Sequence, residues 1–137
     1  MSHGSFGTAL NCMDGRAQEQ INNFVKNETG VQYVDAITEP GIDGILARQD
    51  DPVLLAHIQK KVGISVNGHG SKYVAVVGHG NHCAGNPVSK EQHYEEIQKA
   101  VDLVKSWVTE AVKVVGLYTE SVDPEHPEGE WKVETVC

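Results

Sequence analysis

The chain has 137 residues, 39% of them hydrophobic and 22% charged, which is typical of one globular domain spanning residues 1–137. Its formal net charge of −8 disfavours binding to nucleic acids or anionic membrane surfaces, because both require basic patches. No apolar run approaches the roughly 20 residues of a membrane span, and residues 1–7 lack the features of a signal peptide, so we expect a cytoplasmic protein.

The first third of the chain alternates apolar runs with one amphipathic stretch. Residues 5–12 are predicted to form a buried strand. In residues 31–38 apolar and polar side chains alternate, which predicts a second strand. Between them, residues 16–27 are predicted to form a helix, with Gly30 just past its end. Its apolar positions at helical spacing are Ala17, Ile21, Phe24 and Val25. The proline and glycines of residues 38–44 indicate a loop.

A second helix and the clearest strand occupy the middle of the chain. Asp51 is a favourable cap and Pro52 suits the first turn, so a helix is predicted to begin here and to end at Asn67 and Gly68. Residues 72–78 are apolar almost throughout and are predicted to form a buried strand.

The last third begins with the longest predicted helix. Ser89, with Gln92 three residues later, indicates a capping box at its start. Its apolar stripe comprises Ile97, Val101, Val104, Val108, Ala111 and Val115. Residues 113–119 and 130–136 are predicted to form two more strands, and the prolines between them suit a hairpin.

The element order β-α-β-α-β-α-β-β predicts an α/β fold of three layers, with a mostly parallel sheet and helices on both faces. We expect the strand order 2-1-3-4, with strand 5 antiparallel at the edge. In this order the topological switch lies between strands 1 and 3, and ligands bind beyond the carboxyl ends of the strands at such a switch.

Thiols and imidazoles follow the two strands that flank this switch. Cys12 lies at the end of the first predicted strand, and His79, His82 and Cys83 follow the third. Thiolate and imidazole are the ligands that a tetrahedral Zn²⁺ prefers. Three protein ligands leave one coordination position open, which is the catalytic rather than the structural arrangement. The sequence therefore predicts a zinc site at this end of the sheet.

Two charged residues next to Cys12 suit the same site. Asp14 lies two residues after Cys12, and Arg16, two further on, can hold a carboxylate with two hydrogen bonds. An aspartate held in this way stays ionised and can orient a metal-bound water, whereas a released aspartate could bind the metal instead. Asp14 could also cap the first helix, and it could serve in both ways.

The C-x-D-x-R motif at Cys12–Arg16, followed about seventy residues later by His79 and Cys83, resembles the β-class carbonic anhydrases. The resemblance implies that Cys12, His79 and Cys83 bind Zn²⁺ and that the Asp14–Arg16 pair controls the position of the water. It further implies hydration of CO₂ to bicarbonate by a zinc-bound hydroxide, and a homodimer or higher homo-oligomer.

The resemblance covers roughly residues 5–120, and the chain departs from the family in two respects. The family has two residues between the histidine and the second cysteine, and this chain has three. We expect Gly80 to absorb the additional residue through its backbone freedom, and we prefer His79 to His82 as the ligand because His82 adjoins Cys83. The length of the chain also leads us to expect neither the N-terminal helical arm nor much of the C-terminal region of the larger family members.

The other histidines and the last cysteine are not predicted ligands. His69, which lies between two glycines, indicates a turn, and Cys137 is expected to be frayed because it is the last residue. Surface positions are expected for His57, His93 and His126. His3 is expected to be disordered.

Other functions remain open from the sequence. The site could hydrolyse CS₂ or COS, or the chain could be a non-catalytic zinc-binding protein, because it is short and its ligand spacing is altered. A nucleotide-binding loop is disfavoured, because Gly85 falls two positions too late after Gly78 and Gly80 for the G-x-G-x-x-G motif. A redox role for Cys12 and Cys83 is a further alternative.

Overall fold

The structure, a computed structural model, describes residues 4–137, and His3 lies outside the described residues. Within this range one mixed sheet has the strand order β2-β1-β3-β4-β5, as the sequence predicts. Its strands are β1 (Phe6–Asn11), β2 (Tyr33–Thr38), β3 (Tyr73–His79), β4 (Lys113–Ser121) and β5 (Trp131–Thr135). All neighbouring strands are parallel except β4 and β5, which form the predicted antiparallel edge.

The helices lie on both faces of this sheet. They are α1 (Gln18–Thr29), α2 (Ile42–Arg48), α3 (Pro52–Gly63) and α4 (Lys90–Lys105). Helix α1 packs on one face, and α2, α3 and α4 pack on the other. This division follows from the strand order, because the chain moves outward from β1 to β2 and then returns across the sheet to β3 and β4.

Strand β3 shows how the sheet divides its side chains between the two faces. All seven of its residues are buried, as expected for a central strand of a parallel sheet. Val74 and Val76 pack with α2, α3 and α4, whereas Ala75 and Val77 pack against the α1 face. His79 therefore lies on the α1 side of the sheet, where its ring is 6.1 Å from that of Trp131.

Local sequence signals account for most helix ends. The side chains of Asp51 and Ser89 accept hydrogen bonds from the backbone N–H groups of Leu54 and Gln92, as expected for N-cap residues. Gly30 ends α1 in the left-handed conformation at φ +75°, with its N–H bonded to the carbonyl of Lys26. These boundaries agree with the sequence prediction.

Helix α2 is the main correction, because the prediction of a loop over residues 38–44 is wrong for its second half. The sequence did not predict this helix because it contains Gly44 and begins after Gly41, and glycine is unfavourable in helices. Ile42 and Leu46, one helical turn apart, are fully buried in the core shared with α4. Tertiary packing thus stabilises a seven-residue helix that local propensity does not favour.

The ends of α3 and α4 also differ from prediction. The second predicted helix changes after α3 into a π-helical turn, Ile64–Gly68, before it ends as expected. The longest helix ends at Lys105 rather than continuing along its apolar stripe. Val108 still packs against the core from the turn that follows, and Val115 lies in β4. Among residues 4–137, no helix has both the length and the apolar content needed to cross a bilayer.

Gly78→Ala should destabilise the protein, because a Cβ at this position would lie 2.6 Å from Asp43 Oδ2 and 2.9 Å from Ile97 Cδ1. We expect a loss of about 1–3 kcal/mol in the free energy of unfolding, measured by chemical denaturation. The control is Gly63→Ala, where the nearest atom would be 3.9 Å away and φ is −59°. This variant should gain about 0.4–1 kcal/mol. Equal stability of the two variants would contradict the packing described.

Candidate metal centre

Three buried side chains meet where β1 and β3 end. Cys12 directly follows β1, His79 is the last residue of β3, and Cys83 lies four residues later. One ligand atom from each lies within 4.8 Å of those of the other two. The two Sγ atoms are 4.0 Å apart. The three residues predicted as ligands are therefore brought together, and they could hold a metal ion.

The histidine presents one ring nitrogen for this purpose. His79 Nδ1 lies 2.7 Å from the carbonyl oxygen of Gly80 and donates to it, which leaves Nε2 with the lone pair. Nε2 is enclosed and has no hydrogen-bond partner among residues 4–137. Burial lowers the pKa of His79, so the ring is neutral. An unpaired, buried imidazole nitrogen beside two thiols fits a metal ion, because an empty site would leave that nitrogen unsatisfied.

The cysteines are buried as a pair. Burial, and then the neighbouring Cys12, raise the pKa of the Cys83 thiol to about 11. A metal ion bound here must displace the thiol proton, so metal binding would release protons. The backbone N–H of Gly41, at the start of α2, lies 3.5 Å from Cys12 Sγ and donates to it. The start of α2, which the sequence did not predict as a helix, therefore supplies a hydrogen bond to one of the candidate ligands.

The additional residue between His79 and Cys83 is absorbed in an unexpected place. Asn81 and His82 adopt left-handed backbone angles, with φ of +59° and +64°, and Gly80 does not. The expectation that Gly80 would do so is wrong; it is required instead because a Cβ there would lie 2.5 Å from Tyr118 Oη. Asparagine tolerates the left-handed region better than most residues. His82 is exposed and is not one of the three side chains brought together.

Asn81 is also fixed by its side chain. Its Nδ2 donates to Ser121 Oγ at 2.8 Å, and its Oδ1 accepts from the Ser121 backbone N–H at 2.8 Å. This two-point contact joins the loop that carries Cys83 to the end of β4. It offsets the cost of the left-handed backbone, which is of order 1–3 kcal/mol per residue.

Asp14 and Arg16 form a tight pair beside the three candidate ligands. Arg16 Nη2 donates to Asp14 Oδ2 at 2.6 Å, and Arg16 Nε donates to Asp14 Oδ1 at 3.0 Å. These hydrogen bonds lower the pKa of Asp14 to about 2. Asp14 Oδ2 lies 3.8 Å from His79 Nε2, so an ionised carboxylate adjoins the candidate metal position.

The backbone around this pair follows from the same contacts. Asp14 accepts from the backbone N–H of Arg16 and caps the 3₁₀ turn Gly15–Ala17, so it acts both as a helix cap and as the partner of Arg16. Arg16 Nη2 also donates to the Asn81 carbonyl at 3.1 Å, and its guanidinium lies 5.3 Å from the centre of the Trp131 ring. Arg16 thus joins the loop after β1 to the loop after β3.

A protein-family model described as "Putative carbonic anhydrase" matches residues 2–137. The chain belongs to this carbonic anhydrase-like family. Comparison with curated proteins finds no significant match. The family suggests a lyase-type enzyme that acts on CO₂, and the buried Cys12, His79 and Cys83 give such an enzyme a place to hold a metal ion.

The histidines not predicted as ligands have different surroundings. His57 and His126 are exposed, as expected. His69 is exposed in a turn, where it bonds Asp35 Oδ2 at 2.7 Å and its ring stacks 4.2 Å from that of Phe6. The exposed Cys137 is held by its backbone carbonyl, which accepts from the Gly116 N–H, so the expectation of a frayed end is wrong.

The surface position expected for His93 is also wrong, because His93 is 2% exposed and part of a polar cluster within the core. The other buried members are Asp43, Asn86 and Glu96. Sequence analysis missed them because Asp43 was assigned to a loop. A signal was present in α4, where His93 lies four residues before the buried Ile97 and so shares its face.

Cys83→Ser should remove the metal from the purified protein, because the hydroxyl is a poor substitute for a thiolate. We expect about one metal ion per chain in the wild-type protein and little in the variant, measured by plasma mass spectrometry. Cys137→Ser is the matched control and should retain the metal, because Cys137 is exposed. Equal metal contents in all three proteins would exclude Cys83 as a ligand.

Proposed function

We propose that this protein is a zinc-dependent carbonic anhydrase that hydrates CO₂ to bicarbonate. The observation that carries the proposal is the unpaired, buried Nε2 of His79, which adjoins two buried thiols and an arginine-held aspartate. Membership of the carbonic anhydrase-like family supports the reaction. The proposed metal ligands are Cys12, His79 and Cys83, and the proposed catalytic pair is Asp14 and Arg16.

The donor set favours zinc over magnesium and calcium. Two thiolates and one imidazole suit Zn²⁺, whereas magnesium and calcium prefer oxygen ligands. Cys12, His79 and Cys83 would hold the Zn²⁺, which would supply Lewis-acid activation of a water molecule at neutral pH. The neutral state of His79 supports this assignment, because only the unprotonated nitrogen can bind a metal.

Asp14 would orient the attacking water. Its carboxylate stays ionised at neutral pH because Arg16 lowers its pKa to about 2, so it accepts a hydrogen bond and does not donate one. Both carboxylate oxygens are held by Arg16, which favours orientation of water over direct binding of the metal. Arg16 acts as a positioning residue, since it fixes Asp14 beside His79 and the Asn81 carbonyl.

The remaining parts of the proposal concern the whole protein. We propose that residues 1–137 form one β-carbonic anhydrase-like domain, that it works in the cytoplasm, and that it assembles as a homodimer or larger homo-oligomer. The resemblance of the Cys12–Arg16 motif to the β class supports the assembly. Sedimentation of the purified protein tests it directly, and a monomer at micromolar concentration would contradict it.

Arg16→Gln should lower the activity without removing the metal. Asp14 would lose the hydrogen bonds that hold it, and misplacement of a reacting group by about 1 Å can cost on the order of 10²-fold in rate. We expect a loss of about that size in kcat/KM for CO₂ hydration, measured by stopped flow with zinc content determined in parallel. Lys26→Gln, an exposed charge change on α1, is the control and should keep wild-type activity.

The wild-type result decides between this proposal and its alternatives. Zinc-loaded protein that does not accelerate CO₂ hydration would exclude the carbonic anhydrase function. If that protein then hydrolysed CS₂ or COS, the substrate assignment alone would change. Stoichiometric zinc with no turnover on any of these substrates would identify a non-catalytic zinc-binding protein.

A further inference from the structure

Trp131 is the first residue of β5, and its ring lies beside the candidate metal centre without supplying a ligand. The guanidinium carbon of Arg16 lies over this ring, 5.3 Å from its centre. The ring of His79 lies 6.1 Å from that of Trp131, so the indole adjoins a candidate metal ligand as well. Trp131 is therefore placed to act on the residue that holds Asp14.

The indole of Trp131 is itself fixed within the hairpin formed by β4 and β5. The residue is 8% exposed and belongs to the buried cluster on the α1 face of the sheet, together with Ala17 and Ile21. Its Nε1 donates to the carbonyl of Pro127 at 2.8 Å, so the one polar atom of the side chain is paired. The ring cannot turn without losing this hydrogen bond and its packing, and it therefore presents a fixed surface to Arg16.

A second neighbour of the Arg16 guanidinium depends on the same hairpin. Arg16 Nη2 donates to the carbonyl of Asn81 at 3.1 Å. Asn81 is held by two hydrogen bonds to Ser121, and Ser121 lies directly opposite Trp131 in the antiparallel pair of β4 and β5. The ring beneath Arg16 and the carbonyl beside it are thus both positioned by one pair of facing residues.

The ion pair of Asp14 and Arg16 needs such support because it lies near solvent. The Arg16 side chain is 38% exposed and that of Asp14 is 18% exposed. A solvent-exposed ion pair contributes little by itself, because ordering a long side chain costs entropy. An aromatic face attracts a guanidinium through its quadrupole and excludes water from one side of it. Trp131 therefore favours the orientation of Arg16 in which Asp14 is held.

We propose that Trp131 is a positioning residue for CO₂ hydration, because it holds the Arg16 guanidinium, which in turn holds the Asp14 carboxylate beside the candidate metal position. The inference rests on the proposed function, in which Asp14 orients the attacking water. Trp131 acts through Arg16 and not on the reacting atoms. It lies outside residues 5–120, which carry the resemblance to the β class, and it gives the last hairpin of the chain a part in the active site.

The kinetic test compares two replacements of Trp131 in the zinc-loaded protein. Trp131→Leu keeps an apolar side chain but removes the ring, so kcat/KM for CO₂ hydration should fall about tenfold while the zinc content stays that of the wild type. Trp131→Phe keeps an aromatic face and should stay within about threefold of the wild type. Trp107→Leu is the matched control and should keep wild-type kcat/KM, because this partly buried tryptophan packs against the core on the other face of the sheet.

A double-mutant cycle separates action through Arg16 from a general effect on stability. In the Arg16→Gln background, the addition of Trp131→Leu should change kcat/KM by less than about twofold, because the group that Trp131 holds is already absent. An equal fall in both backgrounds would show that Trp131 acts independently of Arg16 and would overturn the proposal. Wild-type kcat/KM in Trp131→Leu, or an equal loss in Trp131→Phe and Trp131→Leu, would overturn it as well.

A third measurement needs neither activity nor a variant, in case Trp131→Leu does not fold. The ring current of an indole shifts nuclei above its face upfield, so NMR spectra of the zinc-loaded wild type should show the Arg16 side-chain protons upfield of their ordinary positions. Ordinary positions in an active wild type would refute the role of Trp131 alone. An inactive wild type would refute the proposed function, and the role of Trp131 in that reaction with it.

Discussion

Two buried thiols and one buried imidazole nitrogen lie within 4.8 Å of one another, and this arrangement depends on the pairing of β1 with β3. Cys12 and His79 can meet because β1 and β3 are adjacent and parallel, so their carboxyl ends lie at the same edge of the sheet. This adjacency exists only in a strand order that reverses between them, which is the point where open α/β sheets bind ligands. The fold therefore determines where the centre lies, and the loops determine its shape.

Close backbone approach shapes the loop that follows β3. A Cβ at Gly85 would lie 2.4 Å from the carbonyl carbon of Pro40, and one at Gly41 would lie 2.6 Å from that of Gly85. The loop with Cys83 thus packs directly against the start of α2, where the Gly41 N–H reaches Cys12 Sγ. Only glycine permits this contact, so Gly41, one of the two glycines that obscure α2 in the sequence, also places the helix at the centre.

The charges on the two sides of the centre have different surroundings. Asp14 and Arg16 lie at the surface end, where two parallel hydrogen bonds keep the carboxylate ionised. Asp43 and His93 lie within the core, where Asn86 supplies a donor to Asp43 and thereby limits the cost of burying a carboxylate. The first pair adjoins the candidate metal position, and the second joins α2 to α4 within the core.

The sequence by itself determined the elements with strong local signals and identified the three side chains that meet at the candidate metal centre. The apolar run of β3, the caps Asp51 and Ser89, and the motif from Cys12 to Arg16 were all readable without coordinates. The alternation of strands and helices along the chain then predicted the sheet order. Each of these signals lies within a few residues of chain, where periodicity and capping chemistry act.

Only the tertiary structure decided what depends on distant contacts. Helix α2 exists because Ile42 and Leu46 are buried in the core shared with α4. His93 is buried because Asp43, fifty residues earlier, supplies its partner. The left-handed angles of Asn81 are held by Ser121, forty residues later. Local propensity disfavours some of these features and does not predict the others. They form because buried groups cannot be solvated by water, so long-range packing and hydrogen bonding outweigh local preference.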